Sequence, residues 1–484
     1  MTLTKSGMLR GALAAVLTSA CATTLVAGRA ADGAASGEPP QAASARPSSG
    51  NQSSAQANAA PTFSRDVAPI MYAKCVSCHR PGEVAPMSLL TFKDVRPWAG
   101  AIREKVAARV MPPWHADRQY GTFRNNLSLT QPEIDTIVQW VAAGAREGDP
   151  SAMPAVPTFA DGWQIGKPDQ VFEMTSAFQV PARGTIEYQY FEVPTNFMED
   201  RWMQAGEVRA GDRAHVHHII VYVKEPQPRP RPAVVTIRPI PPAGGFPARP
   251  SAPPAAAGAP GTAARASTAG AQSTPAPSRT TDNMLVNWAV GEDAPIFQRG
   301  MAKRIPAGST LIFQVHYTTN GTPGQDRSKL GLIFSKDAPE REVRTGAVAN
   351  PLFMIPAGAA SHQVEAEATF TEDVKVWTMH PHMHLRGKDM TYTATYPDGR
   401  QDVVLRVPKF DFGWQTDYWL AEPLLLPKGS KLHVSAHFDN SAANKANPDP
   451  TAAVRWGDQT WEEMMIGFFT YTVEGRPATT TARR

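Results

Sequence analysis

The chain carries the segment KVWTMHPHMHLRGK at residues 375–388, in which His380, His382 and His384 occupy alternate positions. In an extended strand, side chains at alternate positions project from the same face. This spacing therefore predicts three imidazoles on one face of a β-strand. Imidazole is the commonest metal-binding side chain, and an H-x-H spacing lets two rings reach one ion. The alternative is a set of solvated histidines on a polar sheet face.

From Ala160 onward, short alternating segments separated by turn residues predict antiparallel β-sandwich domains. The predicted strands cover residues 219–223, 310–317, 330–334, 374–385, 391–396, 403–407, 432–438 and 465–472. Residues 226–282 are rich in Pro, Ala, Gly, Ser and Thr, which predicts a disordered insertion; a Pro-rich arm that binds a partner is the alternative. We expect one β domain over residues 160–345, a second over 346–475 and a tail over 476–484.

The preceding residues 62–150 have helical patterning and predict a small all-α domain. Apolar residues recur at helical spacing between Asp94 and Val110. Thr130 and Glu133 form a capping-box pair ahead of an apolar helical stripe, which predicts where the last helix begins.

The N-terminus resembles an export signal. Lys5 and Arg10 precede an apolar run that is too short for a stable membrane span, so residues 1–30 predict a signal with cleavage near Ala30. The alternative is a lipobox-like run that leaves Cys21 as a lipid anchor. Residues 31–61 lack large apolar side chains and predict a disordered tether. We therefore predict a periplasmic or otherwise exported protein.

Charge and cysteine content narrow the classes of function. The 484 residues include 48 Lys and Arg against 44 Asp and Glu, a balance that gives no reason to expect nucleic-acid binding. Beyond the signal, the chain has only Cys75 and Cys78. If both attach a cofactor, no cysteine is left for disulfides, and the domains depend on core packing or bound metal.

Cys75, Cys78 and His79 form the sequence C-x-x-C-H, the attachment signature of c-type haem. The two thiols form thioethers with one covalent haem c, and the histidine ligates its iron. A redox C-x-x-C or half a zinc site fits poorly, because there is no second cysteine pair. Met111, held between a helix and two prolines, is the expected sixth iron ligand. Met87 and His115 are the alternatives.

Four further segments contain candidate metal ligands: the adjacent pair His217 and His218, the residue His316, the pair His382 and His384, and the residue Met464. His217, His218 and His316 supply three nitrogens for one site, and His382, His384 and Met464 supply two nitrogens and a thioether for another. Neighbouring strand residues point apart, so His217 and His218 need a β-bulge or different ring nitrogens to share an ion. A thioether selects Cu(I) over zinc. Two copper ions with divided roles in O2 chemistry are therefore expected.

The order H-H, Q-V-H-Y, H-x-H-L-x-G-K and E-E-M resembles the copper type II, ascorbate-dependent monooxygenases, which include the peptidylglycine and dopamine hydroxylating enzymes. The resemblance spans residues 160–472 and implies two jelly-roll-like domains with coppers facing across a cleft. It assigns His217, His218 and His316 to an electron-transfer copper. It assigns His382, His384 and Met464 to an oxygen-activating copper. Residues 80–83 and 111–115 resemble a small bacterial cytochrome c domain.

The chain departs from this family at several positions. The copper region has no cysteine, whereas the animal enzymes are rich in disulfides. His380 stands where peptide-acting members have Arg, and Phe468 stands where they have Tyr. We therefore do not predict recognition of a peptide C-terminus. His380 is a substrate contact, an alternative ligand or a support for a ligand, and His215, His433 and His437 are expected to be structural or to support a ligand.

The sequence thus predicts an exported copper monooxygenase that uses O2 and an unidentified organic substrate. Electrons would come from ascorbate or a periplasmic redox protein and enter through the haem. A second hypothesis is a non-catalytic haem and copper protein that transfers electrons or handles copper. A third is a haem-dependent dehydrogenase with structural metal in the β region.

Overall fold

The computed structural model describes residues 60–83, 85–159, 162–226, 233–242, 283–289, 291–292, 294–476 and 478. The predicted export signal, Cys21 and nearly all of the predicted tether lie outside these residues, as does most of the predicted insertion. Helices dominate up to residue 152, and strands dominate from residue 170 onward. No helix in the described ranges is long and apolar enough to cross a membrane.

The helical region contains four α-helices: α1 (Ala68–Lys74), α2 (Phe92–Val95), α3 (Ala99–Ala107) and α4 (Gln131–Ala142). A π-helix (Phe63–Val67) precedes α1, and 3-10 turns span Arg96–Trp98 and Pro150–Ala152. The expected capping box is confirmed at the start of α4, where the Thr130 backbone N–H donates to the Glu133 carboxylate at 2.6 Å. The helical pattern between Asp94 and Val110 is interrupted at Pro97, because proline has no N–H to continue the ladder.

The first group of strands forms two facing sheets. It comprises β1 (Gln170–Glu173), β2 (Phe178–Val180), β3 (Gln189–Pro194), β4 (Arg201–Arg209), β5 (Val216–Lys224), β7 (Met284–Ala289), β8 (Met301–Ile305), β9 (Thr310–Tyr317), β10 (Gly324–Asp326), β11 (Lys329–Phe334) and β12 (Arg341–Glu342). Strand β6 (Val235–Ile240) follows β5 in the chain but belongs to a sheet of the second group. One sheet has the order β1-β11-β4-β8-β12 and the other β3-β9-β5-β7, and side chains from both form one apolar core. Strands β2 and β10 form a separate pair.

The second group also forms two facing sheets. It comprises β13 (Arg344–Ala349), β14 (Met354–Ile355), β15 (His362–Phe370), β16 (Val374–His382), β17 (Gly387–Thr395), β18 (Gln401–Val407), β19 (Tyr418–Leu426), β20 (Lys431–Phe438), β21 (Val454–Arg455) and β22 (Ile466–Val473). The sheet orders are β13-β22-β16-β19 and β18-β17-β20-β15-β6, and they enclose a second apolar core. Strands β14 and β21 form a pair.

Two sequence expectations need correction. Residues 235–240, inside the predicted disordered insertion, form β6, whose β-branched residues pair with β15 along the edge of the second group. The strand expected over residues 374–385 ends at His382. Beyond it, the N–H groups of His384 and Arg386 donate to the Glu463 carboxylate instead of continuing a ladder.

Candidate metal centre

The first histidine cluster lies where β5 and β9 pair. His218 is opposite His316, and a register shift between Val216 and His218 supplies the bulge that the sequence required. The Nδ1 atoms of His217 and His218 are 3.0 Å apart. Two nitrogens that each lie about 2 Å from one ion fall near this separation. The ligand atoms of all three histidines lie within 4.8 Å of one another, so the structure brings the three-histidine set together.

Burial keeps these imidazoles neutral. It lowers the pKa of His217 to about 4 and that of His316 to about 3. The pKa of His218 is also lowered well below its ordinary value, mainly by burial and then by the neighbouring histidines. A metal ion binds only the neutral form, so each of the three rings is in the state that a metal requires.

One ring nitrogen of His316 has a hydrogen-bond partner, and the other has none among the described residues. Its Nε2 lies 3.2 Å from the Thr460 hydroxyl. Its Nδ1 is buried and has no hydrogen-bond partner in the described part of the chain. An unsatisfied buried polar atom is costly, and a metal ion bound at Nδ1 would remove that cost.

The second cluster begins at the end of β16. The His382 Nδ1 donates to the Gln415 side-chain oxygen at 2.7 Å, and the His384 Nδ1 donates to the Glu462 carbonyl at 3.1 Å. The two ring centroids are 5.4 Å apart, and the ring planes are perpendicular. Each held Nδ1 leaves Nε2 as the ligand atom, and His384 Nε2 is buried without a partner among the described residues.

On both sides of Met464, the chain is hydrogen-bonded to the segment that contains His382 and His384. Before it, the fully buried Glu463 accepts from the His384 N–H at 2.9 Å and from the Arg386 N–H at 2.6 Å. After it, Ile466 pairs with His382 across β22 and β16. The Met464 side chain is 6% exposed. A thioether at this position suits a soft ion such as Cu(I).

One phenyl ring borders both clusters. Phe412 stacks on His217, with centroids 4.9 Å apart and an interplanar angle of 13°. The same ring is 6.0 Å from the His316 ring and 6.2 Å from the His384 ring. A cavity of about 30 Å³ is lined by His217, His218 and His382 together with Phe412. His217 and His218 of the first set and His382 of the second therefore border one narrow cavity.

His380 has a different environment from the two histidines that follow it. Its Nδ1 lies 3.1 Å from the Asp417 carboxylate and 3.8 Å from the buried Glu292 carboxylate. Burial raises the pKa of Glu292 well above its ordinary value, and the nearby Asp417 adds to the shift. His380 also lines the cavity shared by the two clusters. The roles predicted for His380, a substrate contact, an alternative ligand or a support for a ligand, stay predictions.

The haem motif lies at the end of α1. The Cys75 N–H donates to the Met71 carbonyl at 2.8 Å, which closes the helix. The His79 Nδ1 donates to the Met87 carbonyl at 3.3 Å, so Nε2 is the nitrogen left to face an iron. These residues fit the attachment of a c-type haem.

The candidates for the sixth iron ligand differ in exposure. Met111 follows α3 and is 41% exposed. Met87 packs partly buried against the helical core, and His115 is also partly buried.

His215, His433 and His437, which the sequence predicted to be structural or to support a ligand, make polar contacts outside the two clusters. His215 is held between Asp212 and the Thr322 carbonyl. His433 pairs with Glu365 at 3.2 Å, and His437 pairs with Asp389 at 2.7 Å.

Sequence reasoning missed the residues that contact the candidate ligands and His380. They are Glu292, Phe412, Gln415, Asp417, Thr460 and Glu463. Of these residues, only Glu463 could have been found from the sequence, because it directly precedes Met464 in the E-E-M motif. The others lie far in sequence from the histidines that they contact and had no signal of their own.

Comparisons with known proteins add little. No family model matches the sequence, and no curated protein matches it. The structure of infectious bursal disease virus Gx strain is 10% identical over 68% of this chain and 77% of that chain, with a TM-score of 0.17. The structure of Paenibacillus xanthan lyase is 10% identical over 69% of this chain and 28% of that chain, with a TM-score of 0.14. At these scores, nothing about this chain follows from either likeness.

The buried histidines predict how the metal-free protein responds to acid. The folded pKa values of His217, His316 and His384 lie at about 4, 3 and 4, below the ordinary value of 6.5. Below pH 6.5, the unfolded chain therefore binds more protons than the folded chain. The free energy of unfolding should fall as the pH is lowered from about 6.5 to about 4. Urea titrations at stepped pH measure it, and a His316→Phe variant should show a shallower fall. A free energy that stays constant over this range contradicts the assignment.

Gln415 should matter for metal binding at the second cluster only. The substitution Gln415→Leu removes the hydrogen bond that orients His382, and the loss of such a partner typically weakens metal affinity about 10- to 100-fold. Chelator-competition titrations should show this weakening at one of the two sites. Gln363→Leu is the matched control, because Gln363 is exposed and bonds Ser435 at 3.0 Å. Equal affinities in the two variants would show that Gln415 does not orient a ligand.

Proposed function

We propose that this chain is an exported, copper-dependent monooxygenase that receives electrons through a fused c-type haem. In this proposal, residues 62–150 are a cytochrome c domain, and two jelly-roll-like sandwiches carry the copper ligands. One observation carries the proposal: His217 and His218 of one set and His382 of the other border one cavity, and His316 Nδ1 and His384 Nε2 have no partner among the described residues. The motif resemblance supports the same conclusion.

The two donor sets have different chemistry. His217, His218 and His316 offer nitrogen alone, whereas His382 and His384 are joined by the Met464 thioether. Copper held by these sets would supply O2 activation and single-electron transfer. The proposed division of roles gives electron storage to the three-histidine set and oxygen activation to the set with the thioether.

The surrounding residues hold the histidine ligands in place and limit the access of water to them. Gln415 and the Glu462 carbonyl fix the ring tautomers of His382 and His384. Phe412 covers His217 with an apolar face. His380, oriented by Asp417, lies at the cavity wall, where it can contact a substrate. The organic substrate is unidentified, and the electron donor is ascorbate or a periplasmic redox protein.

The size of the cavity favours a second candidate function. A space of about 30 Å³ holds a water or a diatomic molecule, whereas sites for organic ligands typically occupy roughly 300–1,000 Å³. A non-catalytic protein that transfers electrons or handles copper needs no larger space. A monooxygenase needs the cavity to widen when substrate binds. Substrate-triggered O2 uptake in the presence of ascorbate would support the monooxygenase over this alternative.

Metal content tests the proposal. The protein is purified from periplasm, its haem is counted optically, and its copper, iron and zinc are counted by mass spectrometry. We expect about two coppers per haem, with one lost in a His382→Ala/Met464→Ala double variant, because that variant removes most of one donor set. The matched control is His433→Ala/Met198→Ala, since His433 contacts Glu365 outside the clusters and Met198 is 95% exposed. Zinc without copper after reconstitution would contradict the proposal.

A further inference from the structure

The loop that follows the haem motif is fastened to the first group of strands. Glu83 forms an ion pair with Arg213, and Arg213 also donates to the Gly82 carbonyl at 3.4 Å. Arg80 pairs with the same carboxylate at 2.9 Å. The Arg213 and Glu83 side chains are 28% and 18% exposed, so solvent screens this pair less than an open surface pair.

Arg213 lies on a hydrogen-bonded turn that leads directly into β5 and His217. The Asp212 N–H donates to the Asp326 carboxylate at 2.9 Å, and His215 Nδ1 lies 2.7 Å from the Asp212 carboxylate. Asp326 is fully buried. The ion pair with Glu83 therefore joins the loop that follows the haem motif to the turn that precedes β5 and its histidines.

A second contact fastens the helical region to β19. The Arg124 N–H donates to the Trp419 carbonyl at 2.9 Å, and the Ala421 N–H donates to the Thr122 carbonyl at 2.8 Å. The Asn125 side chain contacts both the Asp417 carbonyl at 2.7 Å and the Trp419 N–H at 3.1 Å. Residues 122–125 thus extend a sheet of the second group, and the helical region is held at two places.

Beside the Glu83–Arg213 ion pair lies a crevice that reaches from the haem motif to β7. Cys78 lines it, together with Asn287 and Trp288 of β7. The same Asn287 and Trp288 line the cavity that borders His217 and His218. In the sheet, β7 pairs with β5, with Ala289 opposite His218. Strand β7 therefore forms a wall shared by the haem-attachment thiol and the three-histidine cluster.

We propose that this crevice is the electron-transfer junction of the protein, with Trp288 as the bridge and Arg213 as a positioning residue. The inference rests on the proposed function, because it requires a haem at Cys75 and Cys78 and copper at the three-histidine cluster. With a haem held by Cys75, Cys78 and His79 and a copper held by the three-histidine cluster, the junction would pass one electron at a time, oxidising ferrous haem iron to ferric and reducing a cupric ion to cuprous. No bond is made or broken, and no proton is transferred in the step.

Flash reduction of the haem in the copper-loaded protein tests this junction. The loss of reduced-haem absorbance and of the Cu(II) electron paramagnetic resonance signal gives the intramolecular rate, which must not depend on protein concentration. Trp288→Leu and Arg213→Ala should each slow this rate by about tenfold or more, since displacing reacting groups by an ångström has effects of that size. Trp288→Phe and Arg213→Lys, which keep the ring and the charge, should stay closer to the native rate.

Hydrogen–deuterium exchange gives a readout that does not depend on electron transfer. Arg213→Ala should raise the exchange of amides in residues 77–83. Arg299→Ala is the matched control, because Arg299 forms an ion pair with Asp337 but is 92% exposed. It should leave both the exchange and the transfer rate unchanged.

The outcomes separate this inference from the proposed function. If the native protein holds haem and copper and transfers electrons, but the Trp288→Leu and Arg213→Ala rates equal the native rate, the junction is overturned and the function stands. Unchanged exchange in Arg213→Ala overturns the positioning role of Arg213. If the native protein lacks haem or copper, the proposed function fails, and the junction fails with it.

Discussion

The structure depends on the burial of uncharged imidazoles around Phe412. Five histidines of the two donor sets lie near this ring or near a histidine that contacts it. Burial disfavours the charged forms of His217, His218, His316 and His384, and two of these keep a ring nitrogen without a partner among the described residues. Such a cluster is costly in a metal-free protein. A bound soft metal ion would offset this cost, which gives a physical reason for the arrangement.

The rest of the fold places these rings accurately. A bulge in β5 turns two consecutive histidines toward one point, and the Glu463 carboxylate ends β16 so that His384 leaves the strand. Gln415 accepts a hydrogen bond from His382 and also donates to the Phe412 carbonyl at 3.1 Å. Gln415 therefore orients a ligand of the second set and also contacts the backbone of Phe412, whose ring borders the first set.

Features with local causes could be predicted from the sequence. The strand over residues 310–317, the capping box at Thr130 and the need for a bulge at His217 and His218 all follow from nearby residues. The partners of the ligands could not be predicted in this way. Glu463 and His384 are 79 residues apart, and Gln415 and His382 are 33 apart. Strand β6 was missed because its few β-branched residues lie within a Pro-rich stretch, and its pairing with β15 is a tertiary contact.

The central proposal is that this chain holds two distinct copper ions, one at the three-histidine cluster and the other at His382, His384 and Met464. Anomalous diffraction from crystals of the copper-reconstituted protein, recorded on both sides of the copper absorption edge, tests it directly. The account predicts two peaks of copper density, one among His217, His218 and His316 and the other among His382, His384 and Met464. A single peak shared by the five histidines, or no copper peak at either position, would contradict it.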